Sequence, residues 1–158
     1  MADDELTHLD ADGNAHMVDV GDKPTTTRVA VASGKVVMRA ETLEILLGGK
    51  APKGDVLAVA RIAAIQAAKR TADLIPLCHT IALTGCEVEF TPAPPTELGI
   101  EVRVRAADRT GAEMEALTAV SVAALTVYDM LKAVDRGMAI EAVCLQRKSG
   151  GARGDYQR

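Results

Sequence analysis

Asp129 and Lys132 stand one helical turn apart in the segment Tyr128-Asp129-Met130-Leu131-Lys132. A carboxylate beside an ammonium can take up a proton at one point of a ligand and return one at another. Lys53 in Lys-Gly-Asp and Lys148 in Lys-Ser-Gly-Gly add cations from two other parts of the chain. Lysines gathered near an aspartate suit a ligand that carries phosphate and exchanges protons in one cleft. The glycines after Lys148 could add a nest of backbone N–H groups for an anion. Taken singly, each lysine reads as a solvated surface residue. Asp129 with Lys132 then reads as an i,i+3 surface pair worth about 0.2–0.5 kcal/mol.

Leu77-Cys78-His79 is a second group with chemical potential, placed just after Pro76. A lone buried Cys is ordinarily inert and a lone His ordinarily structural, but a loop in this position can bring His79 to a cleft. Zinc held by Cys78, His79, Cys86 and Cys144 lacks the usual ligand spacing, and nucleophilic chemistry at Cys78 would need a base from elsewhere.

The element that must position Asp129 is the stretch Gly111–Gly137. Thr110 and Glu113 predict a capping box at its start, and Gly137 predicts its stop, with Lys132 and Arg136 suiting the C-terminal dipole. Leu117, Val120, Ala124, Val127, Leu131 and Val134 recur at helical spacing and form the face toward the core. Glu115, Thr118, Val122, Leu125, Asp129 and Lys132 fall on the opposite face, polar at its ends and apolar in the middle. That pattern predicts a partner surface. Glu115 and Asp129 are separated by roughly 21 Å at a rise of ~1.5 Å per residue, so one reacting centre cannot touch both within one chain. Antiparallel docking of this face on a symmetry mate would bring one copy's Glu115 to the other's Asp129.

At 158 residues the chain suits one domain with a substantial core. It is 48% hydrophobic but only 2% aromatic, so Ala, Val, Leu, Ile and Met must fill the interior. A net charge of −4, with two Tyr, one Phe and no Trp, offers no electrostatic footprint or stacking platform for nucleic acid. No apolar run reaches the ~18–20 residues needed to span a bilayer. The acidic start MADDELTHLDADGNA is unlike a secretory signal, and three cysteines without CxxC spacing do not form a disulfide framework. A reduced, cytoplasmic protein is expected.

Residues 1–24 predict a mobile arm, residues 25–150 a single α+β domain, and residues 151–158 a flexible Gly-rich tail. Asp10, Asp12 and Asn14 lack the calcium-loop template and predict a polar turn. Thr25–Met38 predicts a strand, or a hairpin bent at Ser33-Gly34; Glu41–Leu47 predicts a short helix. Val56–Ala72, capped by Asp55, predicts a helix apolar nearly all round and buried on most sides. Cys86–Phe90 and Ile100–Arg105 alternate strictly and predict paired strands, with Glu87 and Glu89 opposite Arg103 and Arg105. Met138–Lys148 predicts the last strand. The order strand, helices, strand, strand, helix, strand predicts a ferredoxin-like βαββαβ fold, an antiparallel sheet with helices on one face.

The sequence resembles the MoaC family of molybdenum cofactor biosynthesis. The resemblance rests on THLDADGNAHMVDV, KGDV, ARIAAIQAAKRTADLIPLCH, GAEMEALTAVSVAALTVYDMLKAVD and KSGG. It covers nearly the whole chain; the departures lie around Thr91–Gly99 and in the C-terminal tail. It implies a cyclic pyranopterin monophosphate synthase acting on 3′,8-cyclised dihydro-GTP, with release of pyrophosphate. It also implies a homohexamer, a trimer of dimers with active sites between subunits. On this chain the resemblance implies Asp129, Lys132 and Lys53 as catalytic residues. It implies Leu77, Cys78, His79, Met114, Glu115 and Lys148 as substrate-binding residues. No resident cofactor or metal is implied, although Mg2+ can accompany a triphosphate. The alternatives are a non-catalytic oligomeric ferredoxin-like binding module and a zinc hydrolase built on Cys78 and His79.

Overall fold

The stretch from Thr26 to Val37, with β-branched Thr and Val at both ends, forms the central strand β1, continuous across Ser33-Gly34 rather than folded into a hairpin. Gly34 is needed there for another reason. A Cβ at that position would lie 2.9 Å from Val120 Cγ1 and 3.1 Å from Val143 Cγ2, so the glycine admits close packing instead of a turn. The computed structural model describes residues 8–151 and 154–158. The first seven residues of the expected arm and residues 152–153 of the expected tail lie outside the described residues.

After β1 come helices α1 (Ala40–Leu47), α2 (Val56–Lys69) and the single turn α3 (Thr71–Leu74). Strands β2 (Leu83–Ala93) and β3 (Glu97–Asp108), helix α4 (Glu113–Leu131), β4 (Ala139–Ser149) and β5 (Tyr156–Gln157) follow. The strands form one antiparallel sheet in the order β2-β3-β1-β4-β5. The α+β class and the element order agree with the sequence reading, and the order of the first four strands is consistent with the ferredoxin-like pattern. The short fifth strand was not legible in the Gly-rich tail.

The core is built from small and branched residues. Ala30, Ala32, Val36, Leu98, Val102 and Val104 of the sheet meet Ala116, Ala119, Val120, Ala123, Ala124, Val127 and Leu131 of α4, all essentially inaccessible. Alanines on the facing surfaces let α4 and α2 lie close to the sheet and to each other.

Several local expectations are corrected. Helix α4 begins at Glu113 with Ala112 as N-cap and no side-chain cap, so Thr110 and Glu113 form no capping box. The carboxylate of Glu113 instead accepts from Lys148 Nζ at 2.7 Å. The helix ends at Leu131, with Lys132 as its C-cap, well before Gly137. There Asp135 takes over as anchor, its buried carboxylate accepting from the N–H groups of Arg39 and Gly137 and from Thr42 Oγ1. Helix α2 is capped by Asp55 as expected, but it stops at Lys69 and leaves Val59 46% and Ile62 60% exposed. Glu87 lies opposite Arg103 as expected, but Glu89 faces Glu101 rather than Arg105, and Arg105 makes its ion pair with Glu87. Helix α4, finally, meets the length and hydropathy required to cross a bilayer, because Ala, Val and Leu dominate its nineteen residues. It is nevertheless half-buried and packed against β1, β3 and β4.

Candidate active site

Helix α4 has a group of candidate site residues near each end. At the C-terminal end Asp129 Oδ1 receives Lys132 Nζ at 2.7 Å, and Oδ2 receives Lys53 Nζ at 2.7 Å. Lys132 is the helix C-cap; Lys53 comes from the Lys-Gly-Asp turn between α1 and α2, whose last residue, Asp55, caps α2 by accepting from Ala58 N–H. Asp135 holds the other side of this corner by tying the start of α1 to the segment after α4. The hydrogen bond from Lys132, then that from Lys53, lowers the Asp129 carboxyl to about 2. The same pairing raises Lys132. Asp129 is therefore ionised throughout the physiological range. All three side chains are about half exposed.

At the N-terminal end lies a cleft of about 630 Å³, between the residue 75–79 loop, the start of α4, and the Lys148–Gly151 run. Leu77, Cys78, His79, Met114 and Lys148 line it, joined by Lys23, Arg28 and Arg109. His79 Nε2 is 2.7 Å from the carbonyl of Val18. That contact lays the described part of the N-terminal arm against the cleft wall, where Val18 and Val20 supply apolar surface. Asp10 Oδ1 accepts from Asp12 and Asn14 N–H groups, the polar turn expected there.

Glu115 differs from its expected place. It is only 2% exposed and does not line the cleft, since the 75–79 loop covers it and Cys78 Sγ points at its Oε1 across 3.8 Å. Helical-wheel arithmetic put Glu115 on an open stripe; a covering loop is invisible to such arithmetic. Its Oε2 is buried without a hydrogen-bond partner. Burial raises the Glu115 carboxyl, and burial together with Glu115 pushes the Cys78 thiol up to about 11. Cys78 is thus a neutral thiol, the opposite of an activated nucleophile. The four residues weighed for zinc do not converge: among the described residues no group of three His, Cys, Asp or Glu is placed to hold a metal ion.

A stability test follows from the sign of the Glu115 shift. A folded-state value above the unfolded one means that protonated Glu115 supports the fold below the ordinary carboxylate range. That support is lost as pH rises through the raised value. Glu115→Gln is expected to gain about 1–3 kcal/mol at pH 7–8, the cost of an unsatisfied buried acceptor. Each kcal/mol should raise Tm by about 2–4 °C for a chain of this size. The gain should shrink below about pH 4, and a Tm difference independent of pH would contradict the assignment.

Sequence reasoning missed Arg28. The residue is 9% exposed, and its guanidinium donates to the carbonyls of Asp108, Arg109 and Gly150, stitching β1 to the ends of β3 and β4 around the cleft. No described carboxylate forms an ion pair with it, so its charge remains available to an anion in the cleft. An arginine set between Thr27 and Val29 in a strand-forming run is the available signal. Gly150 and Gly151 fit tightly beside it: a Cβ on Gly151 would fall 1.8 Å from Arg28 Nη1, and one on Gly150 2.2 Å from Thr27 O.

The structure therefore brings Lys53, Asp129 and Lys132 together, and Leu77, Cys78, His79, Met114 and Lys148 together. The fourteen residue steps of α4 from Glu115, beside the cleft, to Asp129 span roughly 21 Å. Comparison with known proteins places this arrangement in context. A cyclic pyranopterin monophosphate synthase of Chloroflexus aurantiacus is 62% identical over 158 residues, 99% of this chain and 97% of the relative. The protein of that name from Thermomicrobium roseum is 63% identical over 155 residues, covering 98% and 93%. Cyclic pyranopterin monophosphate synthase 1 of Mycobacterium bovis is 58% identical over 153 residues, covering 97% and 90%. A family model described as the MoaC family matches residues 17–151, which take in both charged groups, and the chain belongs to that family.

Proposed function

We propose that this chain is a cyclic pyranopterin monophosphate synthase, a lyase of molybdenum cofactor biosynthesis. It converts 3′,8-cyclo-7,8-dihydro-GTP to cyclic pyranopterin monophosphate and releases pyrophosphate. The observation that carries this reading is the Lys53–Asp129–Lys132 cluster, one carboxylate clamped between two ammonium groups. The near-full-length relatives bearing that enzyme name support it.

The rearrangement requires protons to move on and off ring nitrogens and hydroxyls while a triphosphate is held in place. An Asp129 carboxyl at about 2 is too weak a base for this while both lysines remain on it. Arrival of the polyanion draws one ammonium away toward phosphate, which raises Asp129 toward the working pH and frees it to accept a proton. The remaining lysine stabilises the charge that develops. Lys148, His79 and buried Arg28 orient the phosphorylated end in the cleft. Mg2+ would enter with the triphosphate rather than on a protein cage.

The ends of α4 are too far apart to serve one substrate from one chain, so the site is completed between subunits of a homohexamer, a trimer of dimers with the ferredoxin-like unit as protomer. The uncovered apolar surface of the helix layer supports this: Val59 and Ile62 on α2 and Leu125 on α4 are each about half exposed. Because Glu115 is buried, what one copy presents is the cleft mouth at Met114 and His79 rather than the Glu115 carboxylate. The same reading makes the protein a cytoplasmic enzyme. The test supplies the cyclised dihydro-GTP and follows pyrophosphate and pterin together. Stoichiometric appearance of both is expected, and a chain that turns over neither would refute the proposal.

A further inference from the structure

The sheet face turned away from the helices carries a second, strongly basic feature. Directly paired residues of an antiparallel sheet share a face, so Val29 and Val31 of β1 lie with Arg105 and Arg103 of β3, respectively. On the other side Arg147 of β4 pairs with Val31 and Ser149 with Val29. Arg103 and Arg147 thus flank Val31 at Cα positions roughly 10 Å apart, two strand spacings. They border a groove of about 390 Å³ whose far wall is Tyr156 and Gln157 of β5.

Three details make this more than a scatter of surface charge. Val31 is only 3% exposed although no helix covers it, as expected where arginine stems lie over an apolar floor. Arg105 is paired with Glu87, whereas Arg103 and Arg147 have no ion-pair partner among the described residues. Asp155 is the one acid lining the groove, and it accepts from Gly150 N–H. Arg103 and Arg147 thus line the groove without an ion-pair partner among the described residues, with Glu87, opposite Arg103 on the neighbouring strand, engaged by Arg105. Their planar forks suit the paired oxygens of phosphates.

The groove also adjoins the cleft at the N-terminal end of α4, with Val29, Lys148 and Ser149 lining both. We propose that the Arg103–Arg105–Arg147 groove is a second, non-catalytic site for pyrophosphate, the anion that the reaction proposed above releases. The identity of the anion rests on that reading; the presence of a polyphosphate site does not. Occupancy from the adjoining cleft would hold product close to Lys148 and make pyrophosphate an inhibitor acting from outside the reaction cleft.

Titration calorimetry with inorganic pyrophosphate at constant ionic strength tests this. Wild type is expected to bind two pyrophosphates per chain. Arg103→Gln/Arg147→Gln is expected to bind one, with at least a tenfold loss of affinity at the other site. Arg103→Lys/Arg147→Lys keeps the charge but loses the forks and should fall between. An unchanged isotherm for the Gln double variant overturns the proposal. An equal loss of GTP binding in that variant would assign these arginines to the substrate's own triphosphate, and a fall in sedimentation mass would make the groove a contact between copies of this chain; either overturns it. Turnover is measured in parallel: a chain that makes no pterin yet binds a second pyrophosphate would sink the functional reading and leave this site standing.

Discussion

Asp129→Asn is expected to lower kcat by about 10²–10⁴-fold, the range for removal of a general acid or base, while leaving the fold intact. Asp129 is 53% exposed and its partners are half-exposed lysines, so the substitution removes surface ion pairs of little energetic weight. Tm should stay nearly constant while pyrophosphate release collapses. A decisive extension mixes this variant with Lys148→Met, which damages the other end of α4 where Lys148 meets Glu113. If two chains share each site, a mixed dimer retains one undamaged site, and random mixing should restore about a quarter of wild-type activity. Two inactive proteins whose co-refolded mixture stays inactive would confine each site to a single chain. The 21 Å estimate along α4 would then have to be reconciled with chemistry at one end only.

Removing Lys132 should change the pH dependence as well as the rate. Lys132 is the largest cause of the lowered Asp129 carboxyl, with Lys53 second. In Lys132→Met the carboxyl rises from about 2 toward its ordinary range, held down only by Lys53. Activity that needs ionised Asp129 is present above that value and fades below it. The acid limb of kcat/KM should therefore move to higher pH in the variant. The accompanying loss of kcat is expected to be about 10²-fold, since the second proton-handling group has gone. Lys53→Met should move the limb in the same direction by a smaller amount, following the order of the two contributions. An acid limb that stays fixed in both variants would mean that another group sets it and that Asp129 is not the base.

Much of the architecture could be read from local patterns. Strict alternation in β2 and β3, the Asp55 cap, and the spacing of Val120, Ala124, Val127 and Leu131 each reflect a short-range rule that the final packing also obeys. The misreadings share a cause. Thr110 and Glu113 match a capping box, yet a lysine from β4, thirty-five residues away, claims the Glu113 carboxylate. Gly34 resembles a turn residue, yet the space it provides is needed for the packing of Val120 and Val143. Residues 71–74 continue the periodicity of α2, yet the chain breaks at Arg70 and forms a separate turn.

The sequence by itself determined the order of the longer elements, the side of α4 that faces the core, and the presence of Asp129 and Lys132 one turn apart at that helix's far end. Those properties follow from periodicity and the fixed rise of a helix, which depend on near neighbours. Only the tertiary structure decided that Lys53 closes on Asp129, that Glu115 lies beneath Cys78, and that Arg28 gathers three strand ends around the cleft. Each of these joins residues many positions apart. Such contacts form because burying the alanine- and valine-rich faces of α2, α4 and the sheet fixes where every loop must end, and no local pattern carries that information.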